Sequence, residues 1–61
     1  MEDKDLEFFK LEEVDRLVLI WLMENAEIYM IKSWIKFIAE DYKRRRSVEI
    51  NVEKLFAETQ M

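Results

Sequence analysis

Leu11, Val14, Val18 and Trp21 recur at spacings of three and four, with Leu17 and Leu22 beside them. That period marks one face of a helix, predicted over residues 5–24 with Asp3 or Asp5 as its cap. From Leu17 to Met23 every position is apolar, so this end of the helix is covered on more than one side. A buried strand is the rival reading of the run. Helix is preferred because Glu12, Glu13, Asp15 and Arg16 lead into it in helical phase with no breaker.

A second segment repeats the pattern with Ile28, Ile31, Ile35, Ile38 and Tyr42, and Met30, Trp34 and Phe37 form another stripe beside it. Together they cover roughly 200° of a helix predicted over 27–46, against the ~100° of a one-sided surface helix. Lys32, Ser33, Lys36, Glu40 and Lys43 are left as a narrow wet face. A single long coiled coil would need Asn25, Lys32 and Ala39 in its seam, so the phase breaks near Asn25. In a chain without glycine, asparagine is the residue best able to take the left-handed conformation that ends a helix. The expectation is a helical hairpin turning around Asn25 and Ala26.

After Arg46, "SVEI" alternates polar and apolar residues. It reads either as a short extended piece before a last helix over 52–60, capped by Asn51 and burying Val52, Leu55 and Phe56, or as a helix opened by Ser47 and starting at Val48. The predicted fold class is all-α. Residues 1–61 form one small domain, a hairpin of two main helices plus a short C-terminal helix, assembled as a homo-oligomeric helical bundle.

Length is what points to assembly. A 61-residue chain buries only ~60% of the surface it exposes when unfolded. With no cysteine and no histidine, disulfides, thiolate chemistry and the common zinc sites are excluded as reinforcement. Eight aromatics and an apolar content of about half exceed what so small a monomer covers easily. A dimer or higher oligomer is expected, with Trp21, Ile28, Ile31, Trp34, Ile35, Phe37, Ile38 and Tyr42 at its interface. The Leu17–Met23 run is far short of a bilayer span and the charged N-terminus does not resemble a signal peptide, so the expected location is cytoplasmic. An acidic N-terminus also argues against anionic membrane surfaces. The Lys- and Glu-rich composition is thermophile-like.

Net charge is −4, but it is sorted along the chain: residues 1–15 hold seven acids against Lys4 and Lys10, and residues 32–46 hold six bases against Glu40 and Asp41. Acids early and bases late in a helix suit the macrodipole, which is the bland explanation. The functional one is a phosphate-binding handle for DNA or RNA made by Lys43, Arg44, Arg45 and Arg46, extended by Lys36 and Lys32. "RRRS" also fits a basic-directed kinase site at Ser47. The aromatics stand at core spacing, which favours packing over base stacking. Tyr29, on the wet side of the second helix, is the exception, and Phe8 and Phe9 precede the regular stripe as further interface contacts.

Nothing in the residues resembles a catalytic apparatus. Glu12, Glu13 and Asp15 lie on a polar helix side with Arg16, where a solvated face is far commoner than an acid/base pair. Ser33, Ser47 and Thr59 have no histidine base, and a glycine-rich phosphate loop is ruled out without glycine. No oxygen-rich loop suited to Mg²⁺ or Ca²⁺ occurs. No enzyme activity, metal or cofactor is expected.

"LEEVDRLVLIWLMENAEI", residues 11–28, resembles the opening helix of the feast/famine (Lrp/AsnC-type) transcription regulators through Leu11, Glu13, Val14, Asp15, Arg16, Leu19, Leu22, Glu24, Asn25, Ala26 and Ile28. "IAEDYKRRRSVEINVEKL" is similar to a helix-turn-helix, with Ala39 at the close helix contact and Ser47 or Val48 opening the recognition helix. That resemblance implies Arg45, Arg46, Glu49 and Ile50 near a DNA major groove, although Lys43 stands where the family's turn has glycine, the turn is a residue short, and the central helix is longer than the family's. The order of short helix, long helix, "SVEI" and short helix also resembles the histone fold, which implies a dimer on DNA backbone, although the central helix is shorter than that fold's and the basic pair of its first loop is missing. Two functions are carried forward: a DNA-associated regulator using the basic run, and a protein-interaction module using surplus apolar surface.

Overall fold

The computed structural model describes residues 6–60, and the expected caps Asp3 and Asp5 lie outside them. In order come a 3-10 turn Glu7–Lys10, helix α1 Glu13–Asn25, helix α2 Ile28–Arg46 and helix α3 Val52–Glu58. The chain is all-helical, with no strand among the described residues.

The first helix is shorter than its apolar period suggests. Leu11 and Glu12 are extended, so the expected helix over 5–24 is divided into the 3-10 turn and α1. The break lets Leu11 drop into the core and exposes the first amides of α1, for which Glu12 supplies no side-chain cap. Tyr42 of α2 ties this end in place: its hydroxyl accepts from the N–H of the N-cap residue Glu12 at 2.9 Å and donates to the Asp15 carboxylate in the first turn at 2.5 Å. Burial, reinforced by the Asp15 carboxylate, pushes the Tyr42 phenol well above its ordinary pKa, so it remains a proton donor.

The core is Leu11, Leu19, Ile31, Ile35, Ile38, Tyr42 and Leu55, with Phe8, Leu22, Ala26, Trp34, Val48, Ile50, Val52 and Phe56 packed around it. The second segment behaves as its period requires, since Ile31, Ile35, Ile38 and Tyr42 are one stripe of α2 and all are buried. They face the chain's own α1 and α3, so they are not available as the oligomer interface expected of them. For α1 the inward stripe is different from the expected one. Leu19 and Leu22 face the core, while Val14, Val18 and Trp21 are exposed.

Both helix ends correct the expected turn chemistry. Asn25 is the last residue of α1 and Ala26 beyond it is extended, with φ −111°. Asn25 uses its side-chain amide to donate to the Trp21 carbonyl at 2.9 Å. The left-handed residue is Ser47 at the end of α2, with φ 58° and ψ 31°, the only positive φ among the described residues. There the Ser47 N–H and the Val48 N–H, the latter at 3.3 Å, both close back on the Tyr42 carbonyl. For an L-residue with a Cβ this conformation costs ~1–2 kcal/mol, a strain that glycine avoids while giving part of the gain back as chain entropy. Ser47→Gly is therefore expected to stabilise the chain by roughly 0.5–1 kcal/mol, read as a rise in the thermal midpoint. A fall would show that the Ser47 side chain contributes more than its strain.

Residues 47–51 are not helical, which selects the reading in which the last helix begins at Val52, although Ser47 is left-handed and not extended. Asn51 caps α3 by accepting from the Lys54 N–H at 3.0 Å, as expected. No helix opens at Ser47 or Val48.

A reciprocal polar joint holds α3 to the 3-10 turn. Glu58 accepts from the Glu7 and Phe8 amides at 2.8 and 3.0 Å, and Glu7 accepts from the Asn51 amide at 2.9 Å. Glu7 is also paired with Lys10 at 3.0 Å and Lys54 at 3.8 Å. Burial alone raises the pKa of Glu7, but the Asn51 amide and the two lysines outweigh it and hold the carboxyl below 4.5.

Candidate interaction surfaces

Two surfaces follow from this arrangement. The first is the basic end of α2. Its four cations sit in the last turn, where the carbonyl end of the helix favours positive charge. Each is matched to an acid: Lys43 with Glu49 and Arg44 with Glu40, both at 3.9 Å, Arg45 with Asp41 at 2.9 Å, and Arg46 with Glu12. Arg46 also lies over the Tyr42 ring, 5.0 Å from its centroid. The carboxylate cluster of α1 is used in the same way, with Glu12 on Arg46 and Asp15 on Tyr42.

Beside this end an open groove of about 1280 Å³ runs between α2 and the segment leading into α3. Lys32, Lys36, Lys43 and Arg44 form one wall, with Lys10 and Lys54 among the residues opposite. Glu7, Glu40, Glu49 and Glu53 line it as well. Lys36 has no ion-pair partner among the described residues, whereas Lys32 lies 5.4 Å over the Phe56 ring. The groove thus mixes six bases with four acids instead of presenting one sign of charge.

The second surface is apolar. Ile20 and Met23 of α1 line a small cavity of about 160 Å³ with Leu6, Phe8, Leu55 and Thr59, which identifies the flank of α1 that meets α3 and the 3-10 turn. At 100° per residue, Val14, Val18 and Trp21 stand on the opposite flank, with Leu17 pointing outward. On α2, Lys32 reaches Phe56 and so marks the α3 side. Met30, Trp34 and Phe37 stand on the other side by the same count. Both flanks belong to one face of the hairpin, the one that α3 and the 3-10 turn leave open. Val14 is 69% exposed, Leu17 and Trp21 60%, and Phe37 70%, while Trp34 is half-buried. Because Tyr42 meets Asp15 near one end of the hairpin and the turn closes the other, Trp21, Trp34 and Phe37 fall near its middle.

The eight residues expected at an interface therefore divide. Ile31, Ile35, Ile38 and Tyr42 are core, Trp34 is half-buried, and Trp21, Ile28 and Phe37 are exposed. Tyr29 is exposed, as its position on the helix suggests, and so is Phe9, while Phe8 packs against the core. Val14, Leu17, Val18 and Met30 join the open face without having been expected there. For Leu17 and Val18 the signal was the width of the Leu17–Met23 run, which leaves α1 apolar on whichever side it does not bury, and for Met30 it was the second apolar stripe of α2.

Comparison with protein-family models, with curated proteins and with solved structures returned no match. Function is read from these two surfaces. Among the described residues no acidic side chains gather as a metal site, and no helix is long and apolar enough to cross a membrane.

Proposed function

We propose that the protein is a small non-enzymatic interaction module that works through the open face of the α1–α2 hairpin. The observation that carries this reading is the stripe Val14, Leu17 and Trp21 on α1 beside Phe37 on α2, large apolar side chains at least 60% exposed in the single chain. Contiguous apolar patches of this kind mark docking sites, and aromatic residues are enriched where binding energy concentrates.

The second reading is a DNA-associated regulator built on Lys43, Arg44, Arg45, Arg46 and Lys36. It is favoured by Lys36, which has no ion-pair partner among the described residues, and by Lys32 and Lys43 on the same flank of the groove. Exposed ion pairs at 3.9 Å cost little to break. Against it, Glu40, Glu49 and Glu53 line the same groove and would repel a phosphate backbone.

Two titrations separate the readings. At protein concentrations low enough to dissociate any assembly, the apolar dye 8-anilinonaphthalene sulfonate is expected to brighten on the folded chain and to lose that signal in Phe37→Glu; a dark wild type overturns the module. Duplex DNA at low salt is expected to bind weakly or not at all. Binding that falls steeply with salt, with a slope that flattens by about 0.9 for each phosphate no longer neutralised in Arg44→Ala, Arg45→Ala and Arg46→Ala variants, would put the regulator in its place.

A further inference from the structure

We infer that the occupant of the open face is a second copy of this chain, seated about a two-fold axis so that two α1–α2 hairpins stack into a four-helix bundle. The inference rests on the module reading above and names its partner.

Three observations carry it. The first is size. Val14, Leu17, Val18, Trp21, Met30 and Phe37 are all exposed, and with half-buried Trp34 they present on the order of 700 Å², close to the ~800 Å² that each partner buries in a stable specific interface. The second is charge. The centre of the face carries no ionised side chain. On α2 the 100° count places Asp41 on the same stripe, one turn beyond Phe37, where it is tied to Arg45 at 2.9 Å. A centre without charge offers nothing to select a basic or acidic partner. It is complementary to another surface of the same kind, as a two-fold interface requires.

The third observation is architecture. α3 packs on α2 and the 3-10 turn packs on α3, both on one side of the hairpin, with Ile20 and Met23 of α1 only partly sheltered there, so among the described residues the α1–α2 layer has neighbours on that side and none on the other. Two helices with apolar residues on both sides of their layer are stable when a second layer closes the other side. A two-fold related hairpin provides this with the packing of an ordinary four-helix bundle, each α1 and α2 lying against helices of the partner. Trp21, Trp34 and Phe37, near the middle of the face, would form the centre of that second core. A chain of 61 residues gains from it what its own small core cannot supply.

The test is molar mass. Sedimentation velocity over a concentration series is expected to give twice the 7.6 kDa chain mass at high concentration, falling toward one chain on dilution. Phe37→Glu and Val14→Glu are expected to weaken the dimer at least ~100-fold while the helical circular dichroism remains. Both positions are about 70% exposed in the single chain, so a charge there does not disturb the monomer core. If both variants remain dimeric, the copy sits elsewhere and the proposed interface is overturned. A wild type that stays monomeric also overturns it, and the dye then separates the two proposals. A monomer that brightens the dye keeps the module reading and loses the second copy; one that leaves it dark loses both.

Discussion

Ile35→Ala is expected to lower the stability of the folded chain by about 2–5 kcal/mol, the range for deleting the bulk of a buried isoleucine and leaving a cavity. Ile35 has no exposure at all and lies midway along α2, in the stripe that meets both α1 and α3. The cavity therefore opens where every layer of the molecule converges. At roughly 0.05–0.15 kcal/mol per residue, a chain of 61 residues has a total stability of the same order as the expected decrease. The variant should be substantially unfolded where the wild type is folded, seen as a collapse of the urea midpoint. Phe37→Ala, on the outward side of the same helix and mostly exposed, should leave the monomer's fold almost unchanged. A decrease below about 1 kcal/mol for Ile35→Ala would mean that the core around it is loosely packed and collapses into the gap.

Glu7→Gln tests the polar joint. Glu7 is the only charged residue buried among those described, 4% exposed, and one oxygen accepts the Asn51 amide while the carboxylate faces Lys10 and Lys54. Glutamine keeps an acceptor for Asn51 but removes the charge. Because both lysines are about half-exposed and regain water, the expected cost is about 1–3 kcal/mol at neutral pH, less than for a fully buried pair. The pH dependence gives the sharper signature. Glu7's folded pKa stands below its unfolded value near 4.5, so its contribution is fully present above pH 4.5 and is lost as pH falls through the lower folded value. Wild-type stability should drop in that acid window, and the part of the drop due to Glu7 should be missing in Glu7→Gln. Parallel curves for the two proteins would show that ionisation of Glu7 is not coupled to folding.

The second helix was legible in the sequence almost to the residue, because the stripe Ile28, Ile31, Ile35, Ile38 and Tyr42 holds one phase over its whole length, and α2 runs from Ile28 to Arg46. Asn51 was legible as a cap because a side chain that accepts from an amide three residues on is a local device. The start of α1 was not. Its N-terminus is tied in place by Tyr42, thirty positions away, and no local pattern announces a hydroxyl arriving from another helix. Ser47 was missed as the left-handed residue because asparagine has the better intrinsic tendency, while the geometry of the α2 end selects the position regardless of which L-residue stands there. Arg44, Arg45 and Arg46 stood out as a run, but their acid partners Glu40, Asp41 and Glu12 are matched to them only in the folded chain.

By itself the sequence determined that the protein is helical, that its second helix is apolar on two sides and that no disulfide reinforces it, since period and composition are properties of neighbouring residues. Which side of each helix became core was decided only in the tertiary structure. On α1 the stripes Leu19–Leu22 and Val14–Val18–Trp21 are both apolar, and the choice between them is made by where Tyr42, Leu55 and the 3-10 turn pack. The physical reason is that burial is non-directional and favours either stripe nearly equally, whereas hydrogen bonds such as Tyr42 to Asp15 and Glu58 to the amides of Glu7 and Phe8 accept only one. Those few directional interactions seat α3 on one face of the hairpin and leave the other open.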